Sequence, residues 1–219
     1  MLSILDRLVY FIGFSMTAKG RTKSSVKHQQ ILDAAIFQFI TQGFHNTSVE
    51  AIAAVAEVSK QTIYSHFGSK QELFTAAIER KCQERQVSAE IFNTEQPVRK
   101  TLVTFAHRFA ALIMDEEAIQ VHSLCVSESQ TYPEVAELFY RAGPEKVTAL
   151  LTGYLERMNE KGELDINNVS DAADQLIFMM KGRAYYLAQL RLEDLREESN
   201  HGRYLESCID LFLRGYTPR

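Results

Sequence analysis

Apolar residues recur at three- and four-residue steps along almost the whole chain, which is the spacing of one face of an α-helix. Strand signals are scarce, because the sequence contains neither an Asn-Gly nor an Asp-Gly hairpin turn. The first clear stripe ends at Gly43, and Phe44 supplies the hydrophobic partner of a left-handed helix end. The residues of this stripe are Ile31, Leu32, Ala35, Ile36, Phe39 and Ile40. The pattern predicts an all-α protein.

Three helix-starting signals then follow within just over twenty residues. Thr47 with Glu50 and Ser69 with Glu72 have the spacing of capping boxes, and Ser59 between them is a third N-cap. The second helix must therefore end near residue 56, and the third must begin near residue 60. Two very short helices joined by a tight turn are the helix-turn-helix pattern.

The rest of the chain predicts longer helices, which brings the expected total to about nine. Their predicted spans are 69–92, 97–114, 116–130, 133–161 with a break at Gly143-Pro144, 170–192 and 201–215. No internal repeat or low-complexity linker divides them. We therefore expect a helix-turn-helix domain over 21–68 and a larger helical domain over 69–219, with a continuous helix joining the two.

Residues 1–20 precede both domains as an extension with more than one interpretation. The segment MLSILDRLVYFIGFS has apolar residues at helical spacing, but it lacks the basic start and the cleavage site of a signal peptide. Either translation begins at Met16 and residues 1–15 are an upstream extension, or they form an amphipathic arm on the protein. Membrane attachment is a third alternative. No apolar run reaches the roughly 18 residues that cross a bilayer, so we expect no membrane partner.

Composition and charge add a compartment and a class of partner. The chain has 219 residues, of which 46% are hydrophobic, and this is enough to bury a substantial core. Its three cysteines form no CxxC pair, which favours a reducing cytoplasm. The net charge is −4, but residues 17–70 hold six basic and three acidic residues, so this part carries +3 and the rest carries −7. An acidic protein with a basic head is suited to binding a polyanion at one end.

The third predicted helix carries an unusual load of polar side chains. In VSKQTIYSHFGSK, Ile63 and Phe67 are four residues apart and are expected to dock on the first two helices. The remaining side chains face outward, and those at the helix start are placed for base edges in a DNA major groove. Those further along, with Lys70 and the capped start at Thr47 and Ser48, suit phosphate oxygens. A polar solvent face on a connecting helix is the alternative.

The segment TSVEAIAAVAEVSKQTIYSHFGSKQELF closely resembles the DNA-binding region of TetR-family transcriptional regulators. The resemblance runs from about residue 26 to residue 77. On matching positions it implies contacts to double-stranded DNA from Thr47, Ser48, Ser59, Lys60, Gln61, Thr62, Tyr64, Ser65, His66 and Lys70. One departure is Glu57, where the family usually has a glycine. If the turn needs a positive φ, glutamate costs about 1 kcal/mol there.

A single helix in a groove makes few contacts, so a dimer on paired half-sites is expected. Two stripes near the C-terminus offer an interface, although either stripe is equally the pattern of an ordinary core. They consist of Ala173, Leu176, Met180, Ala184, Leu187, Leu205, Ile209, Phe212 and Tyr216. The family resemblance implies that these helices pair with their copies as a four-helix bundle.

The C-terminal part resembles the ligand-binding domain of AefR-like repressors over about residues 100–192. This resemblance implies a homodimeric repressor that leaves a palindromic operator when a small-molecule inducer enters a helical cavity. The expected ligand-binding residues are Phe105, Phe109, Leu112, His122, Cys125, Glu128, Phe178, Met179 and Tyr185, with Tyr186 a further candidate. The apolar members are equally typical of a helical core. For Glu128 we expect solvent, a partner such as Arg108 or Lys181, or a polar cavity.

Catalytic and metal sites find little support in the sequence. There is no GxSxG, HExxH or Gly-rich phosphate loop. His122 and Cys125 are the remaining candidate pair for an enzyme, and they lack an orienting third group. With Glu128 they would offer a metal three ligands and no fourth. We therefore expect no enzyme, cofactor or metal, and the remaining alternative is a helical adaptor or small-molecule-binding protein without a specific operator.

Overall fold

A computed structural model describes residues 23–192 and 201–218 of the chain, so the predicted N-terminal extension over residues 1–20 lies outside the described residues. Within them the secondary structure is helical throughout, which confirms the all-α prediction. The helices are α1 (Lys23–Gln42), α2 (Val49–Val55), α3 (Lys60–Phe67), α4 (Lys70–Glu84), α5 (Val98–Ile113), α6 (Glu116–Glu128), α7 (Pro133–Ala142), α8 (Pro144–Glu160), α9 (Val169–Gln189) and α10 (His201–Tyr216). A single 3-10 turn, Ala89–Ile91, lies between α4 and α5.

Helices α1 to α3 form the head of the molecule, and α4 packs along α1. The predicted α1 stripe faces the core of the head, where Phe39, Phe44 and Phe74 are mutually in contact at ring-centroid distances of 5.1–5.3 Å. Gly43 ends α1 with a φ of 86°, as its sequence context predicts. Arg80 Nη1 donates to Asp33 Oδ1 at 2.6 Å and so ties α4 to α1.

The start of α2 differs from the prediction by one residue. Ser48, not Thr47, is the N-cap, because the Ser48 hydroxyl accepts from the Ala51 N–H at 3.1 Å. Thr47 is 2% exposed and donates its hydroxyl to carbonyl oxygens of α1 and the following turn. The caps at Ser59 and Ser69 are confirmed, since each hydroxyl accepts from the backbone N–H three residues later.

The helix that joins the head to the body is shorter than predicted. We expected 69–92, but α4 ends at Glu84. Gln86 adopts a left-handed φ of 55°, and the Val87 N–H donates to the Cys82 carbonyl at 3.0 Å, which closes the helix end. Val87 then turns inward and is buried with the body. Sequence periodicity missed this end because no glycine or proline marks it.

Helices α5 to α10 form the body. One large apolar cluster is built by α5, α8, α9 and α10, while a second cluster joins the head to α6 and α7. The predicted 133–161 segment is two helices, divided at Gly143-Pro144 where the break was expected. A second break lies inside α9 at Gly182, whose φ of 54° and ψ of −167° are not helical. Among the described residues, no helix combines the length and apolarity required to cross a membrane.

Candidate DNA-binding surface and ligand cavity

Helix α3 is held to the head by its apolar side and presents its polar side to solvent. Ile63 and Phe67 are buried, as predicted. Lys60, Gln61 and Tyr64 are exposed on the other side. Ser59 is the N-cap of α3 and accepts from the Thr62 N–H, and the other backbone N–H groups of the first turn have no partner within the helix, which suits an anion.

The turn before α3 contains a residue with a positive φ, a conformation that the sequence analysis considered as a condition. Glu57 has a φ of 52°, in the left-handed region where glycine is favoured. The next residue, Val58, donates its N–H to the Ala53 carbonyl at 3.0 Å and closes the turn. Glu57 is exposed, so its carboxylate lies beside the entrance to α3 without a buried partner to hold it.

Several groups on α3 are already engaged in local hydrogen bonds and ion pairs. Lys60 forms an exposed ion pair with Glu50 of α2, which raises the pKa of the lysine through the hydrogen bond first and the charge second. Thr62 shares a hydrogen bond of 2.8 Å with Ser59. Ser65 donates to the Thr62 carbonyl at 2.8 Å. Because the pair to Glu50 is open to solvent, a phosphate would compete for Lys60 at little cost.

His66 is less open than its neighbours, because it lies against α1. Its ring centroid is 6.0 Å from that of His28, which also packs on Phe67 at 4.6 Å. Burial, and then the neighbouring His66 and Arg80, lower the pKa of His28. These contacts pack α3 against α1 and so contribute to the angle between the two helices.

Lys70, which the sequence predicts as a phosphate contact, is engaged by hydrogen bonds within the head. Its ammonium donates to the carbonyl oxygens of Phe44, His45 and Thr47 at 2.9, 3.2 and 3.0 Å. An ammonium has three N–H donors, and these bonds use all of them. Burial lowers the pKa of Lys70, although Glu128 opposes the shift. Lys70 therefore holds the turn between α1 and α2, and Thr47, whose hydroxyl is also used inside the head, is not at the surface either.

A cavity of about 500 Å³ lies between the head and the body. Its walls come from both parts, since Ile36 belongs to α1 and Ile78 to α4, while most of the other lining residues belong to α5, α6, α7 and α9. The lining is largely apolar. This is the size and character of a site for a small organic molecule.

The cavity includes six of the nine predicted ligand-binding residues. These are Phe109, Leu112, His122, Cys125, Phe178 and Tyr185. The sequence analysis missed the contributions of the head, and also Lys81, Phe139, Tyr140 and Gln189. Their helices were predicted, but the directions in which separate helices face each other carry no signal in local periodicity.

Three of the predicted ligand-binding residues lie elsewhere. Phe105 is fully buried in the body, in contact with Phe92 at a centroid distance of 5.1 Å. Met179 packs on the same core, and its carbonyl accepts from the Tyr204 hydroxyl at 2.7 Å. Glu128 lies outside the cavity, because its carboxylate lies against Gly43 in the head, where its charge acts on Lys70 and not on the predicted partners Arg108 or Lys181. Glu128 Oε2 is buried without a hydrogen-bond partner among the described residues.

The polar groups of the cavity differ in how well they are paired. Lys81 bonds to Glu117 at 2.5 Å and to Asp115 at 3.2 Å. His122 Nδ1 lies 3.0 Å from Gln189 Oε1. Lys181 lies over the rings of Phe178 and Tyr185, at 4.5 and 5.3 Å from their centroids. Burial lowers the pKa of Lys181.

The chemistry of Cys125 opposes the enzyme alternative. Burial, with Glu128 as a second cause, raises the pKa of the Cys125 thiol to about 12. The thiolate that a nucleophile needs is therefore scarce near neutral pH. The residues that the structure describes bring no three His, Cys, Asp or Glu side chains together as a metal site.

The predicted dimer interface must be corrected, because its residues form the core of a single chain. Eight of the nine are buried, and the ninth, Tyr216, donates its hydroxyl to Gln175 at 3.0 Å. Other apolar residues of α9 and α10 are exposed instead. This exposed apolar set consists of Phe178, Tyr186, Leu190, Tyr204 and Leu211. Both helices have a second, exposed apolar side, and the predicted stripes are the ordinary core that the sequence analysis left open as the alternative.

Two family models match the chain. The model described as bacterial regulatory proteins, tetR family, covers residues 31–77, and the AefR-like transcriptional repressor C-terminal domain covers residues 100–218. The chain belongs to the TetR family. It is a helix-turn-helix transcriptional regulator whose body is of the AefR-like type.

Individual relatives agree with the assignment to the TetR family. The transcriptional regulator RutR of Escherichia coli strain K12 is 29% identical, over 93% of this chain and 96% of RutR. An uncharacterized regulator of Bacillus subtilis strain 168, YvkB, is 28% identical over 86% of this chain and 96% of YvkB. The solved structure of the flavonoid-responsive regulator FrrA is 30% identical and superposes with a TM-score of 0.72, covering 89% of this chain and 99% of FrrA. These relatives are regulators rather than enzymes, as predicted.

Proposed function

We propose that this TetR-family regulator is a homodimeric repressor, which binds a palindromic operator through two copies of α3 and is released by a small molecule in the cavity. The observation that carries the proposal is the position of the cavity. Ile36 and Ile78 form part of its wall, and their helices also carry the core of the head. A ligand in the cavity would therefore press directly on the elements that set the position of α3.

The proposed DNA contacts follow from exposure on α3. Lys60, Gln61 and Tyr64 are the most open groups, and we assign the first two to base edges and the tyrosine to phosphate. Ser48 and Ser59 add the N-termini of α2 and α3, which are suited to phosphate oxygens. Thr62, Ser65 and His66 take secondary roles, because each is partly engaged within the head.

The proposed dimer uses the exposed apolar set on α9 and α10. Phe178, Tyr186 and Leu211 are 66%, 64% and 58% exposed in the single chain. Large apolar side chains at this exposure are stabilised by burial against a copy of the same surface. Pairing through these two helices supports the predicted four-helix arrangement, although with different residues.

The proposed release is a shift between two conformations. A ligand that binds better when the two α3 helices have the wrong spacing lowers DNA affinity, and DNA lowers ligand affinity by the same factor. FrrA is described as flavonoid-responsive, which supports a ligand-responsive role here. The proposed location is the cytoplasm, because the proposed partner is double-stranded DNA and because the three cysteines form no CxxC pair.

Selection of bound genomic fragments, followed by binding at several salt concentrations, tests the proposal. A dimer with several phosphate contacts should lose affinity steeply as salt rises, and should prefer the selected fragments to random DNA. Gln61→Ala should relax the preference at one base position, whereas Tyr64→Phe should weaken binding to all sequences alike. Equal affinity for selected and random DNA would remove the operator from the proposal.

A further inference from the structure

Three polar side chains of the cavity lie in a row on α9. Lys181, Tyr185 and Gln189 are spaced at four-residue steps along α9, and all three line the cavity. Apolar lining residues come from other helices, with Ile36 on α1, Ile78 on α4, and Phe109 and Leu112 on α5. The cavity therefore has a row of polar side chains on α9 and apolar side chains on α1, α4 and α5.

Lys181 has no counterion among the described residues. The contacts of its ammonium are the faces of Phe178 and Tyr185, and no carboxylate of the described residues is within ion-pair distance. Lys81, the other lysine of the cavity, is bonded to Glu117 and Asp115. Aromatic rings offset only part of the free energy lost when an ammonium is removed from water. An anion beside Lys181 would therefore be stabilised by its charge.

Gln189 supplies a second unmet group on the same wall. Its Oε1 is engaged with the His122 ring, whereas its Nε2 is buried and has no hydrogen-bond partner among the described residues. A buried amide N–H without an acceptor is unfavourable, because it has lost its hydrogen bonds to water. A ligand oxygen would supply that acceptor.

We propose that the cavity binds an amphipathic organic anion, whose acidic group pairs with Lys181, whose second oxygen accepts from Gln189, and whose apolar body lies against α1, α4 and α5. This inference rests on the proposed ligand-released function. A cationic ligand would meet two lysines, one of them unpaired. An uncharged hydrocarbon would fill the apolar part and leave Lys181 as it is in the empty site.

Two fluorescent probes of nearly the same shape test the charge requirement. These are 8-anilinonaphthalene-1-sulfonate, an anion, and N-phenyl-1-naphthylamine, which lacks the sulfonate. In the full-length protein, Lys181→Met should weaken binding of the sulfonate at least about tenfold, because an ionic hydrogen bond in a partly buried site is lost. Binding of the neutral probe should change less than about twofold. Lys181→Arg should restore most of the affinity for the sulfonate.

Lys100→Met is the matched control, since Lys100 is an exposed residue of α5 outside the cavity. It should leave the affinities of both probes unchanged. Acetylation of lysines, read by mass spectrometry, then locates the sulfonate: saturation with it should protect Lys181 and not Lys100. Equal weakening of both probes by Lys181→Met, or equal labelling of Lys181 with and without the sulfonate, would overturn the proposal.

The probe titrations use the protein without DNA, so they test the ligand chemistry alone. Operator binding measured with and without the sulfonate tests the proposed release mechanism separately. If the sulfonate requires Lys181 but leaves operator binding unchanged, the ligand chemistry stands and the release mechanism fails. If only neutral molecules release the DNA, the release mechanism stands, but the proposal of an anionic ligand is wrong. A change of dimer state in Lys181→Met without any change in relative probe affinity would assign Lys181 to the subunit interface and would also overturn the anion.

Discussion

Two single residues, Glu57 and Lys70, contribute to the conformation of the helix-turn-helix through local geometry. Glu57 occupies a left-handed turn that favours glycine. The Lys70 ammonium donates hydrogen bonds to three carbonyl oxygens of the turn between α1 and α2. Both positions bear on DNA affinity through the geometry of the head.

Replacement of Glu57 by glycine should stabilise the protein by about 1 kcal/mol, because the strain of a left-handed φ is relieved. The measurement is the free energy of unfolding in urea. Glu57→Ala is the control, since it removes the same charge and keeps a Cβ in the left-handed region. Equal gains from both variants would show that the carboxylate, not the backbone, is the source of the effect.

Replacement of Lys70 by methionine should lower the free energy of unfolding by about 1–3 kcal/mol, because buried carbonyl groups lose a charged donor. Where the head remains folded, the salt dependence of DNA binding should be unchanged. A lysine that contacted phosphate directly would instead reduce the slope of log affinity against log salt by about one per site. Comparison of the two slopes therefore distinguishes the structural role from the predicted phosphate contact.

At the scale of helices, two contacts set angles that matter for function. His28 and His66 lie where α1 crosses α3. Gly182 breaks α9 beside Lys181 and beneath the Tyr204 ring. The Met179 carbonyl, which a regular helix would pair with the N–H of Arg183, accepts from the Tyr204 hydroxyl instead.

Acid should weaken the contact between α1 and α3. Because burial lowers the pKa of His28 in the folded protein, its neutral form is favoured by folding. Its stabilising contribution is complete above the unfolded pKa near 6.5 and is lost as the pH falls below that value. Unfolding free energies between pH 7.5 and 5 should therefore decline less in His28→Phe than in the unmodified protein. Parallel pH curves would contradict the prediction.

Gly182→Ala should destabilise the protein by at least about 1–3 kcal/mol, because the new Cβ would meet the Tyr204 ring and would adopt a backbone region that is essentially confined to glycine. Gly153→Ala is a control of opposite sign. Gly153 lies inside α8, and its Cβ would make an ordinary contact of 3.5 Å with Arg157. Better helix propensity should stabilise that variant by about 0.5–1 kcal/mol in thermal or urea unfolding.

At the scale of the whole molecule, the head and the body both contribute to the walls of the cavity and to one hydrophobic cluster. The cluster that contains Ile63 and Phe67 of α3 continues to Val121 and Cys125 of α6. His45 of the head stacks on Tyr132 of the body, with ring centroids 3.9 Å apart. Val121 and Cys125 also line the cavity, so the same residues of α6 contact both the ligand space and the core of the head.

The oligomeric state should depend on the exposed apolar set and not on the buried stripes. Leu211→Glu places a charge on the proposed interface and should convert a dimer to a monomer in sedimentation velocity experiments, with DNA affinity falling in parallel. Val26→Glu, an exposed position on α1, should leave the mass unchanged. A dimer that survives Leu211→Glu together with Tyr186→Glu would place the interface elsewhere.

The sequence alone determined the features that depend on neighbouring residues. The caps at Ser59 and Ser69 and the inward pair Ile63 and Phe67 follow from hydrogen bonds or helix geometry within a few positions of each residue. The same pattern identified Glu57 as a residue that would be strained if the turn had a positive φ, and the structure supplied that φ. The break at Gly143-Pro144 is local in the same sense. Periodicity also showed that α9 has an apolar side, because that property belongs to a single helix.

Only the tertiary structure decided what covers each apolar or polar face. Leu176 and Phe178 are both apolar residues of α9, yet the first is core and the second is exposed. Lys70 and Lys60 are both lysines near α3, yet the first is bonded inside the head and the second faces solvent. The physical reason is that burial depends on helices distant in the sequence, whose directions a local pattern does not contain. The cavity, formed between such helices, is therefore the feature that the sequence predicted least completely.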